Sequence, residues 1–273
     1  MRTLRMLVAL GLVAVPVPTL AQDVIAGYDF LATDPPPTYQ NFNGPYTIPV
    51  GFFGPGSDPF TGHVQLKGVP LVTHPVCGAG NLGSTDTIVR RLANAQLPSI
   101  GSQDLVPIEI VALHLVSAQP ITVTYNGGLL PEPWKLDVVL SNIVPPPGSM
   151  TIRKTHANGG TFDAVFFVQP QFIFTNVTTP STVKILDTGV EGLPPIQLLP
   201  VNPTPWLYDS GPQFCDFPGC TTNFFPGLTP SYSIAPWVQQ GPYASQGLMP
   251  SCGNGPVPTE PRSWGGIKAL YRD

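Results

Sequence analysis

Charge is scarce in this chain of 273 residues: Asp, Glu, Lys and Arg together make up 10% of it, and only 12 residues are Lys or Arg. No basic run exceeds two residues, as in Arg90–Arg91 and Arg153–Lys154. Nucleic-acid backbones are held by clustered Lys and Arg that release counterions, so nucleic acid is not an expected partner. A polybasic attachment to lipid headgroups is excluded for the same reason. Apolar runs are short as well: the most hydrophobic later stretch, Leu105 to Val116, contains Pro107, Glu109 and His114. A transmembrane helix needs about 20 apolar residues, so no transmembrane segment is expected in the mature chain. Also missing are a GxSxG elbow, an HExxH helix and a DxDxDG calcium loop. Glutamate occurs four times beside 12 aspartates, and nothing in their spacing selects the carboxylate pair that a glycosidase requires. No catalytic residue, cofactor or metal site is assigned on these grounds.

At the N-terminus, Arg2 and Arg5 precede an apolar run from Met6 to Val15, Pro16 and Pro18 follow, and Thr19 and Ala21 are small. The pattern predicts a secretory signal peptide over residues 1–21, cleaved after Ala21. Its removal takes away two positive charges and moves the formal charge from -4 to -6. The four cysteines, Cys77, Cys215, Cys220 and Cys252, are an even set in an exported chain, which predicts two disulfides. Three pairings are possible, and each ties Cys77 to the C-terminal region.

Proline is abundant, 36 residues, and glycine adds 28. An interior proline removes a donor and clashes with the preceding helical turn, so long helices are excluded. From Gly62 to Thr188 the pattern is that of successive short strands, within an expected β-sandwich domain over residues 22–188. Val64 and Leu66 alternate with polar neighbours, as do Ile121, Val123 and Tyr125, and again Leu136, Val138 and Leu140. Asn158, Gly159 and Gly160 predict a tight hairpin between Met150–His156 and Thr161–Val168, through the positive φ they tolerate. Asn126, Gly127 and Gly128 predict a second turn, its returning strand delayed by Pro131 and Pro133. Ile108 to Val116 is apolar on both faces, as a central strand of two packed sheets would be. Thr87 to Ala95 could form a helical face, but Thr85 to Arg90 reads better as a strand. The expected fold is all-β: a β-sandwich of short antiparallel strands with an irregular Pro/aromatic-rich C-terminal region over 189–273, pinned by disulfides. That region carries 15 prolines, and its many aromatics argue for packing onto the sandwich rather than disorder.

Few residues suggest chemistry. Gly78, Gly80 and Gly83 spell GxGxxG, but the chain around them offers no strand-and-helix unit for a dinucleotide. His63, His74, His114 and His156 fall on separate elements; His74 with Cys77, and Asp58 near His63, read as loop residues rather than ligands. Asn176, Val177 and Thr178 form a glycosylation sequon. The candidate binding residues are Trp206, Tyr208, Trp237 and Tyr243, aromatics able to stack on a sugar ring if exposed, with coverage of core edges as the competing role.

Gly83 to Ala95, GSTDTIVRRLANA, resembles a segment found in exported bacterial β-rich proteins without an established activity, with Ser84 where those carry Asn. PFTGHVQLKGVPL from Pro59, VALHLVS from Val111 and the ending SWGGIKALYR from Ser263 add to the resemblance, which implies export and a β architecture and no catalytic residues. The expected function is an exported non-enzymatic cell-surface or extracellular matrix protein, with polysaccharide or cell-envelope components as possible partners. The alternative is a carbohydrate-binding module or carbohydrate-active enzyme using exposed aromatics.

Overall fold

In the computed structural model the described residues are 23–76, 78–79, 82–200, 203–208, 223–227, 237–240 and 244–250. They form strands and no helix. In chain order these are β1 (Gly27–Asn41), β2 (His63–Gly68), β3 (Thr73–His74), β4 (Gly78–Ala79), β5 (Thr87–Arg91), β6 (Gln103–Ser117), β7 (Ile121–Tyr125), β8 (Leu130–Leu140) and β9 (Gly148–His156). They continue with β10 (Gly159–Val168), β11 (Pro170–Asn176), β12 (Val183–Asp187), β13 (Ile196–Pro200), β14 (Thr204–Leu207), β15 (Phe225–Pro226), β16 (Trp237–Gln240) and β17 (Ala244–Pro250). All but the β3–β4 hairpin belong to one large antiparallel ladder.

That ladder doubles over because two strands, each of 15 residues, serve both layers. β1 pairs with β5 through Gly27–Leu31 and with β2 through Tyr39–Asn41. β6 pairs with β5 and β9 along its first part and with β2 and β8 along its last. Leu66, Leu113, Leu115 and Val138 from one layer face Val168, Ile196 and Leu198 from the other across a gap of about 30 Å³. Most strands are short, and the apolar two-faced pattern of Ile108–Val116 belongs to one of the two longest, β6.

Prolines stand where the ladder needs no amide. Pro35, Pro36 and Pro37 fall where the register of β1 against β17 shifts, between Asp34 and Tyr39. Pro133 directs its carbonyl to the Val177 N–H at 2.9 Å, away from β7, so its missing N–H costs the β7–β8 ladder nothing. The expected delay after Gly128 is therefore corrected: β8 starts at Leu130 and runs through both prolines. Asn126, Gly127 and Gly128 all have positive φ, and the Asp58 carboxylate accepts both the Gly127 and Gly128 N–H at 2.9 and 2.8 Å. The Asn158 hairpin is present, with Gly159 and Gly160 already inside β10. Gly160 is needed for contact rather than φ, since a Cβ there would lie 1.9 Å from the Arg153 carbonyl oxygen.

Where β5 and β2 part, Asp86 closes the corner. Its carboxylate accepts the Thr33 N–H at 2.7 Å and the Thr33 and Thr87 hydroxyls at 3.0 and 2.7 Å. Its own N–H and C=O join Leu31 of β1 to His114 of β6. A Cβ on Gly68 would stand 1.6 Å from its Oδ2. Burial pushes the Asp86 carboxyl up to about 6, against the pull of those three hydrogen bonds. The folded state then holds a proton that the unfolded chain releases near pH 3.8. Stability is full below that pH and falls as pH rises toward 6, by about 3 kcal/mol at 1.36 kcal/mol per unit. Asp86→Asn keeps the neutral shape, so it should match the parent near pH 4 and exceed its stability by about that amount at pH 7.5. Urea unfolding at both pH values checks this, and an equal difference at both would refute it.

Beyond Thr188 the described residues include further short strands. β13 and β14 add to β10, and β17 adds to β1, because those edges were left open by the earlier strands. Among the described residues there, Phe224 and Trp206 lie with ring centroids 5.0 Å apart, and Phe224 meets Phe162 edge-on at 5.4 Å. Asn223 seals the contact by accepting the Ile25 N–H at 2.9 Å and donating to the Asp23 carbonyl at 2.7 Å. Cys77, Cys215, Cys220 and Cys252 lie outside the described residues.

Candidate functional site

Of the four aromatics, the structure withdraws two as exposed platforms. Trp206 and Tyr208 are 0% and 5% exposed. Trp206 donates its indole N–H to the Arg153 carbonyl at 3.1 Å, and the Lys154 ammonium sits 5.1 Å from the Tyr208 ring centre. The physical reason is pairing of β14 with β10, which turns Trp206 under Gly160 and into the core. Trp237 opens β16, opposite Leu248 of β17, and Tyr243 lies outside the described residues.

The other sequence candidates do not converge. His63 packs on Tyr39 at 4.9 Å, and His74 is buried edge-on to Tyr28 at 4.5 Å. His114 Nε2 lies 3.5 Å from Asp137, which Lys135 also contacts at 2.9 Å. His156 ends β9. Among the described residues no three His, Cys, Asp or Glu side chains come together as a metal site requires. Of the GxGxxG glycines, Gly78 is in β4 and Gly83 in a turn, with strand β5 following where a dinucleotide site needs a helix; Gly80 lies outside the described residues. The sequon is spent internally: Asn176 is buried, donates to Glu132 at 2.9 Å and accepts the Thr178 and Thr179 N–H groups.

A site the sequence reading missed lies where the two layers separate. Along one edge of β6, β9 pairs up to Ile108 and β8 begins at His114. Between them the β8–β9 connection, residues 141–147, swings outward and leaves a cleft of about 390 Å³. That is within the size range of ligand pockets. Its floor and walls include Glu109, Ile110 and Val111 of β6, Phe167 of β10, Gln169, and Ser141, Asn142, Val144 and Pro145 of the connection.

The polar groups of the cleft divide into held and available. Glu109 is gripped by Arg90 at 3.2 Å. Gln169 donates to Thr188 Oγ1 and the Leu193 carbonyl at 2.8 and 3.1 Å, and its own carbonyl accepts the Ser141 N–H at 2.8 Å. The Ser141 hydroxyl accepts the Ile143 N–H at 3.0 Å. Asn142 is exposed. The main chain of Ile110 is available too: the Leu92 N–H donates to the Pro107 carbonyl at 2.9 Å, so Pro107 and Glu109 turn toward β5. Ile110 turns its N–H and C=O the other way, into the cleft, by the alternation of a strand. The only sequence signal for this place is Pro145, Pro146 and Pro147, which lack the N–H that would close the edge.

No helix among the described residues is long and apolar enough to cross a membrane. Comparison with family models, with curated proteins and with solved structures gives no match.

Proposed function

We propose that the chain is an exported, non-enzymatic protein of the cell surface or extracellular matrix, and that it works by binding a partner in the cleft beside β6. The observation that carries this reading is the chemistry of that cleft. It is large enough for a ligand, half lined by apolar side chains, and its one carboxylate among the described residues, Glu109, is held by Arg90. General acid–base hydrolysis of a glycoside needs two carboxylates on either side of the bond. Elsewhere, carboxylates such as Asp29, Asp58 and Asp86 are occupied in joining strands and turns. Export itself rests on the N-terminal pattern of Arg2, Arg5 and the apolar run to Val15.

A carbohydrate-binding module is the second reading, moved from the buried Trp206 and Tyr208 to the cleft. Phe167 and Asn142, both lining the cleft, supply an apolar surface and a polar group suited to a sugar ring. The test of the first reading is intact mass of the natively produced protein in medium, envelope and matrix fractions. The expected result is a chain beginning at Gln22 and held in the envelope or matrix. A chain retaining residues 1–21 inside the cell would overturn it.

A further inference from the structure

We infer that the cleft takes an uncharged, extended peptide segment that adds to β6 as a short guest strand at Ile110. The inference rests on reading the cleft as the binding site and names the class of partner. A sheet edge offers donors and acceptors in a row, and an edge left open is a template for another strand. Here the unpaired stretch lies between the Ile108–Gly148 and His114–Val139 pairs; Glu109 faces β5 and Val111 is where β6 shifts register against β5, so Ile110 is the position that offers its main chain. At about 3.4 Å per residue, positions 110 to 112 admit about 10 Å of extended chain.

Three features keep this edge available. The segment that passes beside it contains Pro145, Pro146 and Pro147, which have no N–H to offer the Ile110 carbonyl. Ile143 and Val144 of the same connection are 50% and 74% exposed, so its aliphatic side chains stand at the rim instead of filling the gap. The connection is also anchored outward: Ser141 and Ile143 pack where a Cβ on Gly189 would fall, 2.6 and 2.5 Å away. Side chains of a guest strand alternate, so every second one would meet Leu140, Phe167 and Val144 while the others face solvent. Because Glu109 is already paired with Arg90, the cleft asks for no charge on its guest.

The test titrates the full mature protein, labelled with nitrogen-15, with acetyl-Val-Thr-Val-Thr-Val-amide. The comparison ligands are the same peptide with every amide N-methylated and a neutral β-1,4-linked glucose tetrasaccharide. Expected are amide shifts centred on residues 109–113 and 142–144 with the first peptide, and at least about tenfold weaker binding of the methylated one, which has lost its main-chain donors. Ile110→Pro removes the main-chain donor at that position and should lose the peptide shifts; since the Ile110 side chain also packs against the core, a lower thermal midpoint is expected with it. If that variant does not fold, the two peptides still decide. Equal binding of both peptides overturns strand addition. Shifts at Asn142 and Phe167 with the tetrasaccharide alone overturn the peptide and leave the cleft as the site. No shift in the cleft with any of the three overturns the inference and counts against the cleft itself.

Discussion

Asp29→Ala is expected to cost about 3–5 kcal/mol of folding stability, measured by urea unfolding, because it strands a buried guanidinium. Arg91 and Asp29 have side chains 0% and 2% exposed, with Nε 3.0 and 3.2 Å from the two carboxylate oxygens. Arg91 also donates to the Ile25 carbonyl and lies over the Phe224 ring at 4.6 Å. One side chain thus gathers β5, β1, the first described residues and the C-terminal region. Because desolvation raises the Asp29 carboxyl of the parent, the parent gives up stability as pH rises through the carboxyl range, so the Asp29→Ala deficit should be larger at pH 4 than at pH 7.5. Arg91→Met behaves differently. Desolvation already raises the Asp29 carboxyl, with Arg91 opposing it; without Arg91 the group folds as the neutral acid. That costs stability above the ordinary carboxyl range and not below it, so the Arg91→Met deficit should shrink toward pH 4. The double variant Asp29→Leu with Arg91→Met should recover most of the loss, since a packed apolar pair replaces two desolvated charges. Additive losses in the double variant would show that the two residues act separately.

Trp206→Ala is the second large effect, about 3–5 kcal/mol from the cavity left by a buried indole. The indole N–H bond to Arg153 is lost with it. The variant removes the surface on which Phe224 stacks and against which Tyr208 stands edge-on at 4.7 Å. Calorimetry should therefore find a lower midpoint, and proteases should reach the chain after Thr188 faster than in the parent. A stability loss below about 1 kcal/mol, the range of a surface residue, would restore Trp206 as an exposed platform.

How much of this was legible depends on the range of the interaction. The hairpin at Asn158 and the strands around Val64, Ile121 and Leu136 follow from neighbours in sequence, because the period of two and the turn residues are local. The burial of Trp206 depends on β14 finding β10, about 45 residues earlier, and alternation in residues 203–208 could not reveal it. GSTDTIV stood out as a segment, yet the work of Asp86 at the corner requires Thr33, 53 residues away. Arg90 and Arg91 looked alike as a basic pair; one pairs with Glu109 at the surface and the other is buried, since adjacent strand residues face opposite sides. The cleft was the least legible. It is made by the absence of pairing between β8 and β9 along β6, which no single segment encodes, although the three prolines at 145–147 forbid the pairing that would have filled it.

The central claim, that the exported chain is held at the cell surface or matrix through this cleft, is tested most directly by release. Asn142→Arg with Val144→Arg places two long cations on exposed positions of the rim and should leave the thermal midpoint unchanged. Expressed in the native host, the parent should fractionate with envelope or matrix, and the double variant should appear mainly in the medium. Identical fractionation of the two proteins, at equal stability, would contradict the account.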